Sequence, residues 1–248
     1  MTAPNATSAF DVVVPALLLP TSSGSPDFAA TRRYARTVAA SWVDYILVSG
    51  STAQGHLLSV TERAQVLDLW LDVIDPARLF ACCWTPADIT HAQDRGVAII
   101  APMQEPDDRQ RALGFLSALP RGSFVYSHPV FSGATFDATL AAAARAKGVL
   151  PAGGKLAKVS TSTVRAIRDA TGQAFTLWDG SSRHIGLSLG AGASGIVATS
   201  LSAFDRPLPR KEARPLQVTI DQLQGRLDAL SDRTTRSADL IHRAVHWH

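Results

Sequence analysis

Residues 190–200 read GAGASGIVATS, and the order of their two halves decides the fold. The glycines come first and the apolar run follows, so they precede a strand. Dinucleotide-binding loops need the reverse, glycines after a strand and opening a helix. The apolar half, GIVATS (195–200), is the last of eight short apolar runs. The others are DVVVPALLL (11–19), DYILVS (44–49), LFACCW (79–84), VAIIAP (97–102), SFVYSH (123–128), KLAKVS (155–160) and AFTLWD (174–179). Several are apolar on both faces, as parallel strands covered by helices are.

Amphipathic stretches fill the gaps. Ser25 and Pro26 read as cap and first turn of the helix in DFAATRRYARTVAASW, where Phe28, Ala35, Val38, Ala39 and Trp42 share a stripe. Ser59 and Glu62 stand at capping-box spacing. Gly148 and Gly172 suit helix ends. Eight strands alternating with helices predict an α/β fold, a (β/α)8 TIM barrel over residues 10–204, with an open doubly wound sheet as the alternative. Residues 1–9 read as a flexible tail. Residues 205–248 read as a proline-rich linker and a short C-terminal helical extension.

Composition narrows the function classes. Of 248 residues, 46% are hydrophobic and 18% charged, enough for a large core and against disorder. The net charge of +3 is scattered, with no basic run to hold nucleic acid. Cys82 and Cys83 are adjacent in an apolar run, which gives neither a disulfide framework nor zinc spacing. No apolar segment approaches the ~20 residues of a membrane span. A cytoplasmic protein without membrane or nucleic-acid partners is the expectation. His242 and His246 lie four apart, but no third ligand accompanies them, so no metal site is expected.

In a barrel of this kind, chemistry sits at the C-terminal strand ends. There the sequence reads SGSTAQG, YSHP, AKVSTS and LWDGSS after runs two, five, six and seven. Run six carries two lysines at odd spacing, so they face opposite ways. Taking the strand as 155–160 puts Lys155 at its outer beginning and Lys158 on the costly interior face.

These motifs, in this order, resemble the dihydrodipicolinate synthase and N-acetylneuraminate lyase family. Gly50-Ser51-Thr52-Ala53-Gln54 stands for its G-[ST]-T-G-E turn, and Tyr126-Ser127-His128-Pro129 for Y-N-x-P. Lys158 in LAKVST stands for the Schiff-base lysine, and WDGSS and GASGIV for the last two glycine-bearing turns. The resemblance implies a class I aldolase or lyase that joins pyruvate or another 2-oxo acid to an aldehyde, or separates them. It implies Lys158 as nucleophile and Tyr126 as proton carrier, its hydroxyl acidified by a hydrogen bond. Ser51, Thr52 and Ala53 would hold the substrate carboxylate, and His128, Phe131, Asp179, Gly180 and Ser181 would line the pocket. No cofactor is implied, and the assembly would be a homodimer or homotetramer.

The departures are specific. Phe131 stands where the synthases place an arginine for the acceptor's carboxylate. That argues against dihydrodipicolinate synthesis and favours an apolar or neutral aldehyde. Met103 and Gln104 replace paired tyrosines. Two rival readings follow: an imine-forming hydratase, dehydratase or cyclase of specialised metabolism, and an inactive barrel that binds a metabolite or partner.

Overall fold

The computed structural model describes residues 10–104 and 108–246. The tail expected at residues 1–9 lies outside the described residues. All eight apolar runs form strands: β1 (Asp11–Pro15), β2 (Tyr45–Val48), β3 (Leu79–Cys82), β4 (Ala98–Pro102), β5 (Phe124–Ser127), β6 (Gly153–Leu156), β7 (Thr176–Asp179) and β8 (Gly195–Val197). They pair in parallel and in chain order, and β8 returns to β1, with Val12 beside Ile196. Closure removes the open-sheet alternative.

The helices are α1 (Phe28–Ala39), α2 (Val60–Leu71), α3 (Pro86–Asp94), α4 (Arg109–Ala118), α5 (Ala138–Ala146), α6 (Thr161–Thr171), α7 (Ile185–Gly190), α8 (Ala213–Asp228) and α9 (Arg233–Val245). The capping box of Ser59 and Glu62 opens α2. The cap of α1 is not Ser25 but Asp27, whose carboxylate accepts the Ala30 amide at 2.8 Å. Pro26 is bridged to Pro20 instead. Helix α8 packs beside α7 and α9 touches α1, so the helical ring continues past residue 204.

The barrel's lower half is filled by rings. Phe80, Phe124 and Trp178 sit with centroids 4.8–4.9 Å apart, and Tyr45 joins them. Such a plug needs space on the neighbouring strands. A Cβ on Gly153 would come within 2.3 Å of Phe124, and one on Gly195 within 2.3 Å of the Asp11 carbonyl. Gly153 and Gly154, left out of the run read from sequence, are therefore strand. β6 begins at Gly153, two residues before the run taken from sequence, and ends at Leu156.

Candidate active site

The facing of Gly153 and the end of β6 at Leu156 decide which lysine enters the barrel. Gly153 packs on the interior ring cluster, so Lys155, two residues on, also points inward. Leu156 packs outward among Val164 and Ile167 of α6. Lys155 is 4% exposed, and its Nζ stands 4.3 Å from the ring centroid of Tyr126, its register partner on β5. Lys158 lies beyond the strand, exposed, at φ 57°, and reaches only the rim of the cavity. The inward and outward assignments of the two lysines are thus reversed. The strand's register, set by the glycine fit against Phe124, is the physical reason.

Burial draws the Lys155 amine down to about 8; Cys82 on β3 opposes this and Arg233 reinforces it. At neutral pH on the order of a tenth of the amine is then uncharged, against fewer than about one in a thousand for an ordinary lysine. Tyr126 is also buried, and its hydroxyl is 2.9 Å from the Ser51 hydroxyl. Burial pushes its pKa up to about 12 despite that hydrogen bond. The expected acidification is reversed: Tyr126 keeps its proton and is a donor.

Ser51 and Thr52 lie in a short 3-10 turn, Ser51–Ala53, directly after β2. Several contacts hold this turn. The backbones of Gly55 and Ser49 approach so closely that a Cβ on Gly55 would sit 1.8 Å from the Ser49 oxygen. The Trp84 indole donates to the same carbonyl at 2.9 Å. Arg63, buried, donates to the carbonyls of Gly55 and Leu58 and pairs with buried Asp88 at 2.9 Å. Asp88 in turn accepts the amides of Trp84 and Thr85, at 3.0 and 2.8 Å. Removing Arg63 would leave a buried carboxylate without its cation, the costly way to break such a pair.

A cavity of about 210 Å³ opens above Lys155. Of the residues expected in the site, Ser51, Thr52, Tyr126, His128, Gly180 and Ser181 line it, with Lys158 at its edge. Ala53 and Phe131 do not. Asp179 turns away, accepting from Ser188 of α7 and from the Ser181 amide, and so shapes the turn. Met103 is fully buried among residues of α4 and α5, and Gln104 is exposed. His128 accepts the Val130 amide on Nδ1 at 3.0 Å. Burial, then the charges of Arg233, Lys155 and Lys158, lower its pKa to about 4, so the ring is neutral at neutral pH. Its proton therefore sits on Nε2.

Among the residues not foreseen, one group comes from the C-terminal helix. Arg233, Arg236, Ser237 and Leu240 of α9 line the mouth. The Arg233 guanidinium lies 4.5 Å over the ring of Phe131. The charge argument drawn from Phe131 therefore fails: the strand-five position is apolar, but a cation from α9 covers it. One signal for this was readable. Arg233 and Arg236 share a helix face at the N-terminal end, where the helix dipole disfavours cations.

Rings of His242 and His246 stack at 4.2 Å, and among the described residues no three His, Cys, Asp or Glu side chains form a metal-binding group. Among the described residues no helix is long and apolar enough to cross a membrane.

No protein-family model and no curated protein sequence matches the chain. Solved structures do. The 2-keto-3-deoxygluconate aldolase of Picrophilus torridus superposes with a TM-score of 0.78 at 15% identity, covering 94% of this chain and 93% of its own. Dihydrodipicolinate synthase of Cyanidioschyzon merolae gives 0.74 at 17% identity, covering 95% and 90%. Sialic acid aldolase of Ruminococcus gnavus gives 0.70 at 16%, covering 94% and 77%. Carbon–carbon lyases and synthases thus recur among the structural neighbours, and the chain has the fold of the dihydrodipicolinate synthase and sialic acid aldolase barrels.

Proposed function

We propose that the chain is a class I carbon–carbon lyase or aldolase that forms an imine between Lys155 and a 2-oxo acid. The observation that carries this reading is one amine, buried at the barrel mouth beside Tyr126 and a cavity, with its pKa drawn down to about 8. A neutral amine is the nucleophilic form, and burial supplies it. Fold likeness to aldolases supports the reaction class; the residue assignment rests on the geometry of this chain.

In this scheme the Lys155 nitrogen attacks the C2 carbonyl. Tyr126, still protonated and hydrogen-bonded to Ser51, donates a proton to the oxygen that leaves as water. The protonated imine then accepts the electron pair of the C3–C4 bond as it breaks, releasing an aldehyde and leaving an enamine. The reverse sequence joins the two. Ser51 and Thr52 hold the 2-oxo acid's carboxylate from the turn beside the amine. The C4 hydroxyl proton leaves through the Tyr126 and Ser51 hydroxyl pair.

The test is reduction with cyanoborohydride in the presence of pyruvate, followed by peptide mass analysis. The adduct is expected on Lys155, lost in Lys155→Met and retained in Lys158→Ala. An adduct on Lys158, or none with any 2-oxo acid, overturns the proposal. An adduct on Lys155 without cleavage or condensation of any aldehyde would move the reading to the hydratase, dehydratase or cyclase class.

A further inference from the structure

The charges around the cavity exceed what one carboxylate can satisfy. Five cations line it, Lys155, Lys158, Arg183, Arg233 and Arg236, and among the described residues no aspartate or glutamate does. Arg183 is held by Asp228 through two contacts, at 2.5 and 2.8 Å. Among the described residues none of the other four makes an ion pair. Lys155 is the reacting amine of the proposal above. The carboxylate of a 2-oxo acid would be held beside it, at Ser51 and Thr52. Arg233 and Arg236, on α9 beside that turn, remain without an anion among the described residues.

Their surroundings are those of an unfilled acceptor position. The Arg236 Nε is buried and has no hydrogen-bond partner, an arrangement that costs free energy unless a ligand completes it. Arg233 Nη2 stands 3.5 Å from His128 Nε2. Because His128 Nδ1 already accepts the Val130 amide, Nε2 carries the proton, and the two nitrogens are both donors. Two donors side by side have no bond to each other and can share one anionic oxygen. The platform is fixed: Arg233 rests on Phe131, and Ser237, buried, donates to the Thr52 carbonyl at 3.1 Å. That last bond ties α9 to the turn proposed to hold the first carboxylate, so the two anion positions keep a set distance.

We infer that this site takes a 2-oxo acid carrying a second anionic group at its far end, a carboxylate or a phosphate, and that Arg233 and Arg236 of α9 with His128 Nε2–H recognise it. The inference rests on the imine-forming reading for the orientation of the substrate, but its binding test does not.

Half-saturation of cyanoborohydride trapping would be measured with 2-oxopentanoate, with 2-oxoglutarate of the same chain length, and with 2-oxo-4-phosphonobutanoate. At least one dianion is expected to saturate at a concentration tenfold or more below 2-oxopentanoate, and whichever does so names the distal group. In the Arg233→Gln, Arg236→Gln double variant the preference, read as the ratio of half-saturations within that one protein so that any change at Lys155 cancels, should fall to about twofold or less. Equal half-saturation by all three acids, or a preference intact in the double variant, overturns the inference. Equilibrium binding of the same acids to Lys155→Met protein separates the two proposals. If no adduct forms on any lysine, the imine reading falls, and arginine-dependent dianion binding in this assay still decides the second-anion site.

Discussion

The lower and upper halves of one barrel follow opposite rules. Below, Phe80, Phe124, Trp178 and Tyr45 fill the interior with rings, and Gly153 on β6 leaves room for Phe124. Above, at the same strands' other ends, stand an amine, a phenol and a histidine, around a cavity that no carboxylate lines among the described residues. Residues two apart on one strand, Gly153 and Lys155, belong to the two regimes. The difference teaches that the floor supplies the stability on which the mouth draws. A buried amine and a buried guanidinium nitrogen without a partner, the Arg236 Nε, are destabilising, and they persist because a well-packed layer beneath them outweighs the cost.

The comparison breaks most visibly at the floor. Phe124→Ala should destabilise the protein by about 3–5 kcal/mol, read as a lower urea midpoint. Pyruvate trapping per folded molecule should stay near the native level. A mutant that keeps its stability, or that folds and fails to trap, would contradict the division.

At the mouth the sign reverses. Lys155→Met removes a buried amine, and the protein should become more stable at pH 7 by up to about 3 kcal/mol, at about 1.4 kcal/mol per pKa unit. The linkage is direct. The amine's pKa is lowered from 10.5 in the free chain to about 8 when folded, so the folded state binds fewer protons between those values. The native protein's penalty is full below about pH 8 and fades towards pH 10.5. The variant's advantage in urea unfolding should fade over the same window; a variant less stable than the native chain at pH 7 would contradict this.

Tyr126→Phe sharpens the contrast by separating chemistry from packing. It should slow turnover about a hundredfold, some 2.7 kcal/mol of barrel-mouth catalysis, while costing only about 1 kcal/mol of stability for the hydrogen bond to Ser51. The adduct yield at long times should fall much less than turnover. Equal loss of both would remove Tyr126 from the proton-carrying steps.

Most of the fold was legible because eight apolar runs and their spacing leave few topologies. The mouth was legible in part. Ser51, Thr52 and His128 follow clear strands, Tyr126 stands near the end of one, and each reaches the cavity. The lysine was not, since Gly153 and Gly154 carry weak strand propensity and only the rings across the barrel explain why they belong in β6. With the strand taken as 155–160, Lys155 stands at its beginning and Lys158 within it, and nothing local says that the face of Gly153 and Lys155 is the inner one. The α9 arginines were hidden for another reason. Their shared place at the N-terminal end of α9 was readable, but their role depends on a helix some hundred residues after Phe131 folding back over it, and no local pattern encodes that return.

The pH dependence of cyanoborohydride trapping by pyruvate tests the central claim most directly, that one buried amine is poised near neutrality. The second-order rate of adduct formation on Lys155 should rise about tenfold per pH unit up to about pH 8 and then level. A rate still climbing steeply to pH 10, as for an amine of ordinary basicity, would contradict the account.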